Sequence, residues 1–97
     1  MATYILLINW TEQGIKSVKE SPKRADLARA VATRLGCELK DIYMTIGSYD
    51  LVALLEAPDD AAMAKFVLAA AATGNIRTTT LKAFPEASYR EIIAALP

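Results

Sequence analysis

The sequence contains no histidine. That removes the side chain most often used as a general base, and the one most often used to hold zinc, copper or haem iron. Cysteine occurs once, at Cys37, so no internal disulfide can form; this fits a reducing, cytoplasmic setting. The one pair of adjacent acids, Asp59-Asp60, sits where a helix start already calls for negative charge. No metal and no cofactor is therefore expected. The four glycines nowhere cluster into a phosphate-binding loop. Net charge is zero, with eleven Lys and Arg against eleven Asp and Glu, so the positive field of a general nucleic-acid binder is missing. No apolar run approaches the ~20 residues that cross a bilayer. The longest, Met63 to Ala72, is mostly Ala and is interrupted by Lys65. The N-terminus shows no charged region followed by a cleavage site, so no signal peptide is expected. Neither nucleic acid nor a membrane is expected as a partner.

What the chain has in excess is apolar side chains. They make up 54% of 97 residues, against ~45–50% in an average soluble domain. That length suits one domain, residues 1–97, without linker or repeat. A small domain has little interior, so surplus apolar surface points to an interface between subunits. Charge is unevenly spread. Lys16, Lys19, Lys23, Arg24, Arg29 and Arg34 face only Glu20 and Asp26 in their stretch, whereas residues 35–60 carry Glu38, Asp41, Asp50, Glu56, Asp59 and Asp60 against Lys40 alone.

Thr3 to Trp10 is almost continuously apolar and β-favouring, the pattern of a strand covered on both faces. Thr11 to Glu20 reads as a polar connection containing Gly14, with room for a short helical turn around Ile15 and Val18. Ser21 and Pro22 suit an N-cap and a first helical position. Leu27, Ala28, Val31 and Leu35 form the stripe of that helix, and Gly36 its stop. Leu39 to Ile46 predicts a second strand, with Ile42, Met44 and Ile46 on one face. Leu51 to Ala57 predicts a third, joined to it by a short turn, hence an antiparallel hairpin. Pro58-Asp59-Asp60 opens a second helix ending near Gly74, and Ile76 to Ala83 is a Thr-rich fourth strand. An amphipathic tail helix carries Tyr89, Ile92, Ile93 and Leu96.

This order predicts an α+β fold: a ferredoxin-like βαββαβ sandwich, with two helices on one face of a four-stranded antiparallel sheet plus the short C-terminal helix. Two helices cover one face only, yet the first and third strands are apolar on both. Monomers rarely expose such a patch. A second copy is the expected cover, giving a homodimer or higher homo-oligomer; the C-terminal helix is the alternative cover.

Five segments carry a family likeness: Thr11-Glu12-Gln13-Gly14-Ile15, Ser21-Pro22-Lys23-Arg24, Gly47-Ser48-Tyr49-Asp50, Glu56-Ala57-Pro58-Asp59-Asp60 and Gly74-Asn75-Ile76-Arg77-Thr78. In this order they resemble the GYD-domain family, small bacterial proteins of unestablished function. The resemblance implies a ferredoxin-like fold of dimeric α/β-barrel type and carries over no catalytic residues.

Candidate ligand-binding residues are the polar and amphipathic side chains of the strands and the hairpin: Asn9, Trp10, Tyr43, Tyr49, Asp50, Arg77 and Thr79. Tyr49 and Asp50 offer a donor and an acceptor at a cavity mouth, or serve only the turn. Arg77 suits an anion, or pairs with Asp50 or Glu56. Cys37 reads as an inert small residue, since no His can activate it. The function that fits is a small oligomeric module that binds a small molecule, an anion among the candidates, or serves regulation. The alternatives are a cofactor-free enzyme of monooxygenase or isomerase type, which is analogy of fold alone, and a purely structural subunit. RNA recognition would need aromatics on the third strand, where Leu51 to Leu55 has none.

Overall fold

Strands with two apolar faces belong in the middle of a sheet, and that is where they lie. The computed structural model describes residues 1–97. The elements run β1 (Ala2–Trp10), α1 (Glu12–Lys16), a 3-10 turn (Val18–Glu20), α2 (Ser21–Arg34), β2 (Glu38–Met44), β3 (Leu51–Ala57), α3 (Asp60–Ala71), β4 (Ile76–Ala83) and α4 (Glu86–Ala94). The sheet order is β2-β3-β1-β4, antiparallel throughout. This is the expected ferredoxin-like arrangement.

Register decides which side chains share a face. Leu6 lies opposite Ala53 and Thr80, and Ile5 opposite Leu54 and Leu81. Tyr4, Leu6, Ile8, Leu39, Ala53, Leu55 and Ala57 are buried together with Ala32, Cys37, Met63 and Phe66. That is the helix-covered side. Each large side chain buried there contributes roughly 1.5–3 kcal/mol. The other side presents Ile5, Leu7, Val52, Leu54 and Leu81, bordered by Thr3, Asn9, Tyr43, Glu56, Arg77 and Thr79. No helix of the chain covers it. A register shift between Leu39 and Asp41 bulges β2 at Lys40, so that Leu39 and Ile42, three residues apart, both face the helices.

Local chemistry explains the helix ends. The Asp59 carboxylate accepts the Ala62 amide at 2.8 Å, and Thr11 Oγ1 accepts the Gly14 amide at 3.0 Å. Gly36, at φ +79°, ends α2, and the Cys37 amide returns to the Ala32 carbonyl at 2.8 Å, closing a Schellman-type stop.

Four expectations need correction. Ser21 is not an N-cap: its backbone is already helical, Glu20 precedes it, and no side chain caps α2. The 3-10 turn feeds straight into the helix. The helical turn expected near Ile15 and Val18 is present, as α1 and that 3-10 turn. Strand β2 stops at Met44, and Ile46 lies in the turn, fully exposed. Leu27 does not pack into the core; it is 63% exposed. The tail helix does not cover the sheet either. α4 has no buried residue, its Tyr89, Ile92 and Ile93 are exposed, as is Leu96 beyond its end, and the molecule measures 51 × 31 × 17 Å.

Candidate functional site

The hairpin residues are held by the strand ends they join. The Asp50 amide donates to the Ile8 carbonyl at 2.9 Å, and its carboxylate accepts the Trp10 amide at 2.9 Å. Asp50 thus completes the β1–β3 ladder where the strands diverge, with one carboxylate oxygen committed to backbone. Thr45 Oγ1 donates to the Tyr49 carbonyl, and Asn9 Nδ2 donates to the Ser48 carbonyl at 3.0 Å. Gly47 takes φ +147°, a conformation left to glycine.

Of the seven candidate residues, Asn9, Tyr43, Arg77 and Thr79 fall on the uncovered face. Arg77 lies directly opposite Asn9, Thr79 opposite Leu7, and Tyr43 opposite Val52. Tyr49 and Asp50 lie in the hairpin at the Asn9 end. Trp10, one residue beyond Asn9 and opposite Ile76, turns to the helix side, where its indole Nε1 is buried without a hydrogen-bond partner. Arg77 pairs with neither expected acid: Glu56 is taken by Lys40 at 3.0 Å, and Asp50 by Trp10.

A second constellation lies outside the seven candidate residues. Three motif segments converge around Gly14. The Thr11 amide donates to the Asn75 carbonyl at 3.0 Å. Thr11 Oγ1 donates to the Gly74 carbonyl at 2.6 Å. Gln13 Nε2 reaches the Thr73 carbonyl and Asn75 Oδ1, at 3.1 and 3.0 Å. Arg24 closes the corner from α2, donating through Nη2 to the Gly14 carbonyl at 3.2 Å and through Nη1 to Ser17 Oγ at 3.1 Å. Gly14 is buried. A glycine inside a short helix was the available signal, since it marks a close backbone approach.

Beside this corner, α2 and α3 splay apart and leave a groove of about 160 Å³ down to the sheet. Leu27, Ala28, Val31, Ile42, Leu51 and Phe66 are among its walls, and Ser21, Arg24, Thr73 and Asn75 are its polar members. The exposure of Leu27 has its reason here: it stands on the rim of an unfilled groove. None of the seven candidate residues lines it.

On the far side of α3, Tyr4 donates its hydroxyl to Asp60, and Lys82 reaches the same carboxylate at 3.0 Å. The bond to Asp60, with burial next, pushes the Tyr4 phenol up to about 12. The same bond, then Lys82, holds the Asp60 carboxyl below its usual range. The phenol therefore keeps its proton in the folded chain at pH values where the unfolded chain loses it. Its stabilising effect is complete below pH ~10 and fades as pH rises towards 12. Asp60 behaves oppositely: its contribution is present above pH ~4 and fades as acid protonates it. Urea unfolding at pH 9 and pH 11 should show a clear loss of stability in the native chain and a smaller one in Tyr4→Phe. Equal losses would disprove the coupling. Cys37 is 5% exposed and burial raises its thiol pKa, as an inert residue requires.

The family model of the GYD domain matches residues 4–93. The chain belongs to the GYD domain family. A protein of Thermus thermophilus named glutamine synthetase and cystathionine beta-lyase binding protein is 32% identical over 97 residues, spanning 99% of both chains. Among solved structures, MtbAldR superposes with a TM-score of 0.68 at 13% identity over 87% of this chain. A feast or famine regulatory protein of M. tuberculosis, crystallised with L-methionine, superposes with a TM-score of 0.59 at 18% identity over 88%. This chain spans about half the length of each of those two, 52% and 51%. These two likenesses concern the fold. No helix of this GYD domain protein is long and apolar enough to cross a membrane.

Proposed function

We propose that this GYD domain protein is a single-domain cytoplasmic binding module. It forms a homodimer by pairing the uncovered sheet faces, and it regulates another protein by binding it under the control of a small molecule. The observation that carries the reading is the uncovered face itself. Ile5, Leu7, Val52, Leu54 and Leu81 form one apolar patch with a polar border, and α4 lies away from it. Arg77 on β4 stands unpaired at the Asn9 end of that face, while Glu38, Lys40 and Asp41 on β2 border its far end. Face-to-face pairing about a two-fold axis buries this patch on both copies at once. Asn9, Tyr43 and Thr79 then line the space between sheets, with Tyr49 and Asp50 at its end.

The Thermus relative supports the regulatory half. Its name states that it binds two enzymes, and it matches this chain from end to end. The test is sedimentation equilibrium of the native chain, followed by biosensor titration over immobilised glutamine synthetase and cystathionine beta-lyase from the same organism. The expected results are twice the 10.5 kDa chain mass and saturable binding to at least one enzyme. A monomer at micromolar concentration would sink the sheet-face dimer, and flat sensorgrams on both enzymes the regulatory reading.

A further inference from the structure

The groove between α2, α3 and the sheet has a chemistry that the sheet face does not use. We infer that it binds a small apolar carboxylate, its hydrocarbon part between Val31, Ile42, Leu51 and Phe66 and its carboxylate on Arg24 and Asn75. This rests on reading the chain as a small-molecule module, and it names the site and the ligand class.

Volume sets the size of the hydrocarbon. Protein interiors leave few voids larger than a water, whereas this groove holds about 160 Å³. A dry apolar cavity of about 150 Å³ takes a ligand the size of benzene. Fourteen of the eighteen lining residues are hydrophobic and none is acidic.

Charge sets the head group. Arg24 is partly buried and forms no ion pair. Its Nη atoms donate to Gly14 and Ser17, while its Nε donates to nothing. A guanidinium carries five N–H donors, so donors are left for a carboxylate. Asn75 uses its Oδ1 towards Gln13, and its Nδ2 donates to no group. Gly14 brings the two together, because its carbonyl takes Arg24 and its Cα packs against the Asn75 backbone. Both therefore stand at the same end of the groove. An α-ammonium group would find no counter-ion in a lining without acids, and burying it unpaired is costly. The lining thus selects a simple or 2-keto carboxylate over an amino acid.

The test is a methyl NMR titration of the full chain with 4-methylpentanoate, 4-methylpentanamide and leucine. With the carboxylate, the methyls of Ile8, Val31, Ile42, Leu51 and Ile76 should shift and saturate. The amide should bind at least tenfold more weakly, and leucine should leave the spectrum unchanged. Arg24→Gln should cost at least tenfold. Ala28→Leu, which fills the groove, should abolish the shifts without changing sedimentation. The amide comparison stands even where a variant folds poorly. Shifts confined to Ile5, Leu7, Val52, Leu54 and Leu81 would overturn this site yet leave the small-molecule reading standing, with its pocket between the sheets. Equal binding of amide and carboxylate overturns the role of Arg24. No shift with any probe overturns the inference, and intermolecular contacts from Ile92 or Leu96 to the groove methyls would give the groove to α4 of a second copy.

Discussion

Gly14→Ala should lower the thermal midpoint by on the order of 10–20 °C, at about 4–8 °C per kcal/mol for a domain of this size. Helix propensity gives the opposite sign, since Ala in place of Gly favours a helix by about 1 kcal/mol. Sterics decide. A Cβ on Gly14 would overlap the Asn75 carbonyl oxygen and lie 2.9 Å from its carbon. Both neighbours are backbone, with no flexible side chain to yield. Overpacking of this kind costs typically 1–3 kcal/mol and occasionally more. The segment also loses its bonds, because the Thr11 amide and hydroxyl reach Asn75 and Gly74 across the same contact. Amide exchange at Thr11 should accelerate well beyond that of β1 as a whole. Gly47 supplies the contrast: nothing lies within 4 Å of a Cβ there, so Gly47→Ala carries backbone strain alone. A Gly14→Ala chain as stable as the native one would remove the close approach that builds the corner.

The sequence displayed the fold through a few strong features. β1 and β3 are apolar on both faces and so had to be central. The bounds of β4 were plain from Thr-rich propensity between Gly74-Asn75 and Phe84-Pro85. The Asp59 cap and the Gly36 stop follow from local chemistry. Register was not legible, because a period of two offers two equivalent faces. The bulge at Lys40, which places Leu39 and Ile42 on the same side, leaves no mark in the alternation. Leu27 fits the helical stripe perfectly and is exposed all the same, because α3 does not close against it. Ser21 has the chemistry of a cap, but the 3-10 turn before it continues the helical path. The corner around Gly14 joins residues 60 and 63 positions apart in sequence, and no single segment shows what it will touch. Of the candidate residues, the strand ones were sound as strand residues; their division between the sheet face and the helix side required the pairing.

Leu54→Lys should convert the proposed dimer to a 10.5 kDa monomer and weaken association by more than about 100-fold, which is roughly 3 kcal/mol. Leu54 sits opposite Ile5 on one side and Asp41 on the other, near the centre of the uncovered face. Four strands spaced ~4.8 Å apart and some seven residues long project roughly 450 Å². Protruding side chains raise the accessible area towards the roughly 800 Å² per partner of a stable interface. A two-fold contact repeats the substitution, so each dimer would bury two ammonium groups within one apolar layer. Neither has a counter-ion across the interface, and desolvation adds to their repulsion. In the isolated chain the new ammonium faces water and lies beside Asp41, a cross-strand pair worth roughly 0.2–1 kcal/mol. The fold should therefore survive while the association does not. Circular dichroism should be unchanged, and the thermal midpoint should no longer rise with protein concentration. Leu68→Lys is the control: Leu68 is 70% exposed on α3, away from the sheet face, and should alter neither mass nor midpoint. A Leu54→Lys chain that still sediments as a dimer would move the interface off the sheet, to the apolar surface of Tyr89, Ile92 and Ile93 on α4 with Leu96 just beyond it.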